Sequence, residues 1–174
     1  MPLQSTHGAN ILCVLLRLVG RRHLAQVCDH FAYSVGHIVH FFARTKSTKP
    51  KSNRAPCKFI ANPERGRQGI RFNDGAVGPG GEYWAGTMYE GPEVADTPDG
   101  RLYRLDAQQR VTEMERGLTI SNGIGWSPDA HTMYLTDTLR GIIYAYDYDA
   151  ETGRIENRRV LVQVPEGDGF PDGL

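Results

Sequence analysis

From Phe59 onward the apolar residues come in short runs, and Gly, Pro, Asn and Asp crowd the gaps between them. Phe59-Ile60-Ala61, Glu82 to Thr87, Leu102 to Asp106, Val111 to Met114, Gly123 to Trp126, Thr132 to Thr136, Ile142 to Asp147 and Arg159 to Val164 each read as a strand. They are rich in aromatic and β-branched residues and bounded by turn chemistry. Asn62 to Gly69, Asn73-Asp74-Gly75, Pro79-Gly80-Gly81, Gly91 to Gly100, Ser127-Pro128-Asp129 and Asp149 to Gly153 read as the turns and loops. Helix-period patterning is absent across this part.

The pattern repeats. Asn73 to Asn122 is 49 positions and Asn122 to Asp172 is 50, and a Pro follows six residues after each Asn, at Pro79 and Pro128. A third copy begins at Phe170-Pro171-Asp172-Gly173-Leu174. Four short antiparallel strands in a unit of about 50 residues describe a propeller blade. The expected fold is therefore all-β, a partial β-propeller of two to three blades, over residues 59–174.

Residues 1–58 differ in character. Their pattern shows no period of 2; Ile11 to Val27 has the spacing of a short helix, and Arg44 to Pro56 is a polar, basic tether with nothing to bury. The expectation is a basic, irregular or partly helical leader. His37 and His40 would share a face on a helix and could hold a metal, although no third ligand stands near them.

Charge sharpens this division. The formal net charge is zero, yet nine basic residues and one acid lie up to Lys58, against eleven basic and nineteen acidic residues after it. The acidic part suits a cation or a polyhydroxylated ligand better than nucleic acid. Cys13, Cys28 and Cys57 have the spacing of neither a disulfide framework nor a zinc knuckle, and reduced thiols in a cytoplasmic protein are the simpler reading. No apolar run reaches the roughly 20 residues of a membrane span, so no membrane partner is expected.

In a propeller the innermost strand of each blade lines a central channel. Asn73, Asn122 and Asp172 occupy equivalent places in successive repeats and would project toward one axis, where a ring of oxygens can hold a hard cation. Asn and Asp beside Gly are also common turn formers that satisfy their own backbone, so both readings stand at this point.

Arg71-Phe72-Asn73-Asp74-Gly75, Ala85-Gly86-Thr87-Met88, Ile120 to Ser127, Tyr146-Asp147-Tyr148-Asp149 with Thr152-Gly153, Asn157-Arg158-Arg159 and Pro171-Asp172-Gly173 together resemble the SMP-30/gluconolactonase/LRE family. The likeness runs in order from about Phe59 to Leu174. It implies a six-bladed propeller that binds one divalent metal ion, calcium or zinc, and hydrolyses sugar lactones. It implies Asn122 and Asp172 as metal ligands, Asp172 also as catalytic general base, and Arg71 and Asn73 as substrate contacts. Glu90 stands nearest to an acidic substrate-contacting residue of the family, although a strict register places Gly91 there.

The departures set further expectations. The family's first metal ligand is a Glu in an early blade, and the region before Phe59 contains no Glu. A complete ring needs about six units of this period. The sequence thus predicts a truncated, impaired lactone hydrolase whose open sheet edges favour self-association. The alternative is a non-catalytic metal-binding or interaction fragment.

Overall fold

Gly- and Pro-rich punctuation leaves room only for short strands joined by tight hairpins, and this is what forms. The structure, a computed structural model, describes residues 30–35, 38–44, 57–93 and 97–174. Among these lie eleven strands: β1 (His30–Val35), β2 (Ile38–Arg44), β3 (Cys57–Ala61), β4 (Ile70–Val77), β5 (Tyr83–Tyr89), β6 (Gly100–Leu105), β7 (Val111–Leu118), β8 (Ser121–Trp126), β9 (Thr132–Asp137), β10 (Ile142–Asp149) and β11 (Arg154–Gln163). Within each sheet strands pair with their neighbours in sequence, giving β1-β2-β3, β4-β5-β6-β7 and β8-β9-β10-β11, all antiparallel. The two four-stranded meanders are blades of a partial β-propeller, as the repeat predicts.

Two expectations change. β1 and β2 pair antiparallel where the sequence offers no period-2 element, because their aromatic and β-branched content suits a pleated surface. His40 stands in β2, so the helical face it would share with His37 does not form, and His37 lies outside the described residues. The helix expected over Ile11 to Val27 and most of the Arg44–Pro56 tether also lie outside them. The second change is at Asn73-Asp74-Gly75, which is no turn: it lies inside β4.

The strand period of 2 sorts the first blade's side chains between two cores. Trp84 and Leu102 join Leu118, Ile124, Met133, Leu135, Tyr144, Tyr146 and Tyr148 in the layer between the blades. Their neighbours Ala85, Tyr103 and Leu105 point the other way and pack with Ile60, Phe72, Tyr83 and Val111. β5 is consequently buried on both faces from Trp84 to Met88. Each large apolar side chain withdrawn from water contributes about 1.5–3 kcal/mol, so the inter-blade layer is the main cohesive element.

Directed contacts add to it. Trp84, Trp126 and Tyr148 form a triangle of edge-to-face rings with centroids 5.9–6.4 Å apart, a geometry that aligns ring edges with ring faces. Glu82 beneath them accepts from Trp84 Nε1 at 2.9 Å and from the Tyr148 hydroxyl of the second blade. Toward the rim, Glu115 of the first blade accepts from Tyr146 at 3.1 Å and pairs with Arg158 at 3.2 Å. Burial first, then the facing carboxylate, pushes the Tyr146 and Tyr148 phenols above their ordinary values, so both stay donors. Among the described residues no helix is long and apolar enough to cross a membrane.

Candidate functional site

Both innermost strands break their register at the same place. In β4, Phe72 pairs with Thr87 and Gly75 with Ala85, so Asn73 and Asp74 together face Gly86. In β8, Ser121 pairs with Asp137 and Ile124 with Leu135, so Asn122 and Gly123 together face Thr136. Two residues opposite one make a β-bulge, which bends the strand and re-aims a side chain out of simple alternation. The repeated Asn is the first residue of each bulge.

Close backbone approach brings the bulges together. A Cβ on Gly86 would lie 1.9 Å from Ser121 Oγ, and one on Gly123 would lie 2.6 Å from the backbone nitrogen of Leu174. Only glycine fits at either point. Gly123 N also donates to Asp172 O at 3.1 Å, which ties the start of the third repeat to the second bulge.

The expected site residues then form a connected polar line. Arg71 Nε lies 3.2 Å from Glu90 Oε1, and Arg71 Nη1 donates to Asn73 Oδ1 at 2.8 Å and to Phe72 O at 3.1 Å. Asn73 Nδ2 donates to Ser121 O at 3.1 Å, next to Asn122 in the chain. Asn122 Nδ2 donates to Thr138 Oγ1 at 3.1 Å and to Asp172 Oδ1 at 2.5 Å. Neither Asn is folded back onto its own loop. Arg71, Asn73 and Asn122 are half-buried, while Glu90 and Asp172 face solvent. One end of the blades thus carries a guanidinium, two amides and two carboxylates.

The family described as "SMP-30/Gluconolactonase/LRE-like region" matches residues 30–174. The chain belongs to this family. The match begins at residue 30 and so takes in β1 and β2, within the segment 1–58. Regucalcin of Sus scrofa is 39% identical over 117 residues, which are 66% of this chain and 39% of that protein. Pentonolactonase XacC of Haloferax volcanii is 42% identical over 104 residues, 60% of this chain and 34% of that protein. The solved structure of a calcium-binding regucalcin from Agrobacterium tumefaciens superposes with a TM-score of 0.65 at 28% identity, covering 82% of this chain and 47% of that one. The chain therefore spans less than half the length of each.

Two buried carboxylates stand near this polar line. Glu64 lies in a stretch of loop chemistry, yet its side chain is wholly buried; Oε1 accepts from Thr87 Oγ1 at 3.0 Å and Tyr103 OH at 2.9 Å, and Oε2 accepts from Arg67 at 2.5 Å. Burial and then the Glu64 charge hold the Tyr103 phenol above its ordinary value. Asp137, also wholly buried, accepts from Thr119 N at 3.0 Å, Ile120 N at 3.3 Å, the Thr119 hydroxyl and Arg140 at 3.0 Å. Each pairs with an Arg three residues on, but Glu64 takes its other partners forward from a connection and Asp137 takes its own back from a strand.

Among the described residues no group of three or more His, Cys, Asp or Glu gathers. Asn122 and Asp172 nonetheless meet, through the Asn122 amide nitrogen, and each side chain carries an oxygen, that of Asp172 anionic and open to solvent. That donor chemistry fits a hard divalent cation, which takes about six to eight oxygens, as two of its ligands.

Proposed function

We propose that this end of the blades is part of a sugar-lactone hydrolase site dependent on one divalent cation, calcium or zinc. The observation that carries the reading is the contact between Asn122 and Asp172, from successive repeats, beside the Arg71–Asn73 pair. Relatives named pentonolactonase and calcium-binding regucalcin support the substrate class and the ion.

Asn122 and Asp172 would hold the cation. When bound, it supplies Lewis acidity for a carbonyl and lowers the pKa of a water. Asp172, open to solvent, would take the proton of the attacking water. Arg71 offers fixed donors to the ring and carbonyl oxygens, Asn73 an amide that both donates and accepts, and Glu90 a carboxylate for sugar hydroxyls.

A non-catalytic interaction role has its own support. Among the described residues β11 is an edge strand, and Val160, Leu161 and Val162 on it are exposed, a run that invites pairing with another strand. The deciding experiment measures acid release from D-glucono-δ-lactone with calcium, zinc or manganese added. Metal-dependent turnover lost in Asp172→Ala supports the hydrolase; no turnover with any of the metals, together with concentration-dependent self-association, supports the second role.

A further inference from the structure

Thr87 and Asp137 occupy the same place in the two blades. Thr87 pairs with Phe72 and Asp137 with Ser121, in each case the last pair before the bulge that carries the Asn. Each place holds a buried carboxylate: Asp137 supplies its own, and Thr87 receives that of Glu64 through its hydroxyl. Burying a carboxylate is costly unless its oxygens are fully partnered, and these are. An apolar residue could fill the same volume without that cost, so the recurrence of the charge at matching points calls for a geometric role.

The partners supply one. Glu64 locks the connection that leads into β4: Arg67, held by its carboxylate, also donates to Asp99 O at 2.8 Å. Further along the connection, Gly69 O accepts from Glu90 N at 2.7 Å. The connection fixed by Glu64 therefore sets the backbone at both members of the Arg71–Glu90 pair. Asp137 does the matching work for β8. It grips Thr119 and Ile120, and Ile120 O accepts from Thr138 N at 3.1 Å. Thr138 Oγ1 is the group on which the Asn122 amide rests.

We propose that Glu64 and Asp137 are paired positioning residues with separate charges: Glu64 sets the substrate-side residues Arg71, Asn73 and Glu90, and Asp137 sets the cation-side Asn122. The assignment of the two sides rests on the lactone-hydrolase reading; the positioning itself does not. Each carboxylate acts through Thr, Tyr, Arg and backbone partners and accepts from neither Arg71 nor Asn122.

The test uses the full chain and the shape-preserving variants Glu64→Gln and Asp137→Asn. Nitrogen-15 spectra report the Arg71 Nε–Hε and Asn122 side-chain signals, and titrations with calcium chloride and with D-gluconolactam, a ring analogue that does not open, report binding. Glu64→Gln should move the Arg71 signal and weaken the lactam about tenfold, leaving Asn122 and the calcium midpoint in place. Asp137→Asn should do the reverse. If both variants shift both signals alike, or neither shifts its own, the proposal is overturned. If the wild-type chain responds to neither titrant, the lactone-hydrolase reading fails, and the two signals still decide the positioning. Should a variant not fold, Tyr103→Phe and Arg140→Met, which strip one partner from each carboxylate, carry the same readout.

Discussion

Asn122 Nδ2 lies 2.5 Å from Asp172 Oδ1, although the two residues are 50 positions apart and belong to different repeats. The contact exists because the bulge in β8 turns Asn122 off the sheet's alternation and because Gly123 lets the Asp172 backbone approach. It joins the two residues proposed to hold a cation.

Replacing either partner should remove the cation response. Asp172→Ala and Asn122→Ala are each expected to weaken calcium binding by at least about tenfold, read by calorimetry. Asp172 is exposed and Asn122 half-buried, so thermal unfolding of the two metal-free variants should stay close to wild type. A shared large drop in melting temperature would instead make the pair structural.

Gly86→Ala is expected to destabilise the chain by about 1–3 kcal/mol, as overpacking does. The added methyl would meet Ser121 Oγ at 1.9 Å and its Cβ at 2.4 Å, and neither has room to retreat between the blades. Because Asn73 donates to Ser121 O, the Asn73 side-chain amide should shift in the nitrogen-15 spectrum as well. Urea unfolding and that spectrum together check both halves.

Tyr148→Phe should cost about 1–3 kcal/mol in urea unfolding, the price of leaving a buried acceptor short of its donor. Among the described residues, the side chain of Glu82 would keep the Trp84 indole as its donor. Adding Glu82→Gln to Tyr148→Phe removes the stranded charge and should restore part of the loss.

At the hairpin that joins β10 to β11, the hydrogen bond from Thr152 Oγ1, then those from Glu151 N and Thr152 N, hold the Asp149 carboxyl below its ordinary value. A carboxyl lowered in the fold contributes stability above its unfolded pKa, about 3.9, and loses it as pH falls through the folded value. The side-chain carboxyl carbon of Asp149 should therefore titrate below that range, and Thr152→Val should raise its midpoint. A midpoint unmoved by the substitution would remove the hydroxyl as the cause.

Period and composition determined a good deal by themselves. Runs of β-branched and aromatic residues cut by Gly, Pro and Asn can form only short strands, and a spacing near 50 made successive units equivalent, so the blades and the kinship of Asn73, Asn122 and Asp172 were legible in the chain. Tertiary structure decided what the equivalence does. Asn-Asp-Gly reads locally as a turn, and only pairing with β5 makes it a bulge inside β4, because register belongs to two strands at once. Glu64 and Asp137 became buried anchors only when Thr87, Tyr103 and Thr119 closed around them from other elements. Partners that distant leave no periodic trace, because a hydrogen bond depends on separation in space and carries no memory of separation along the chain.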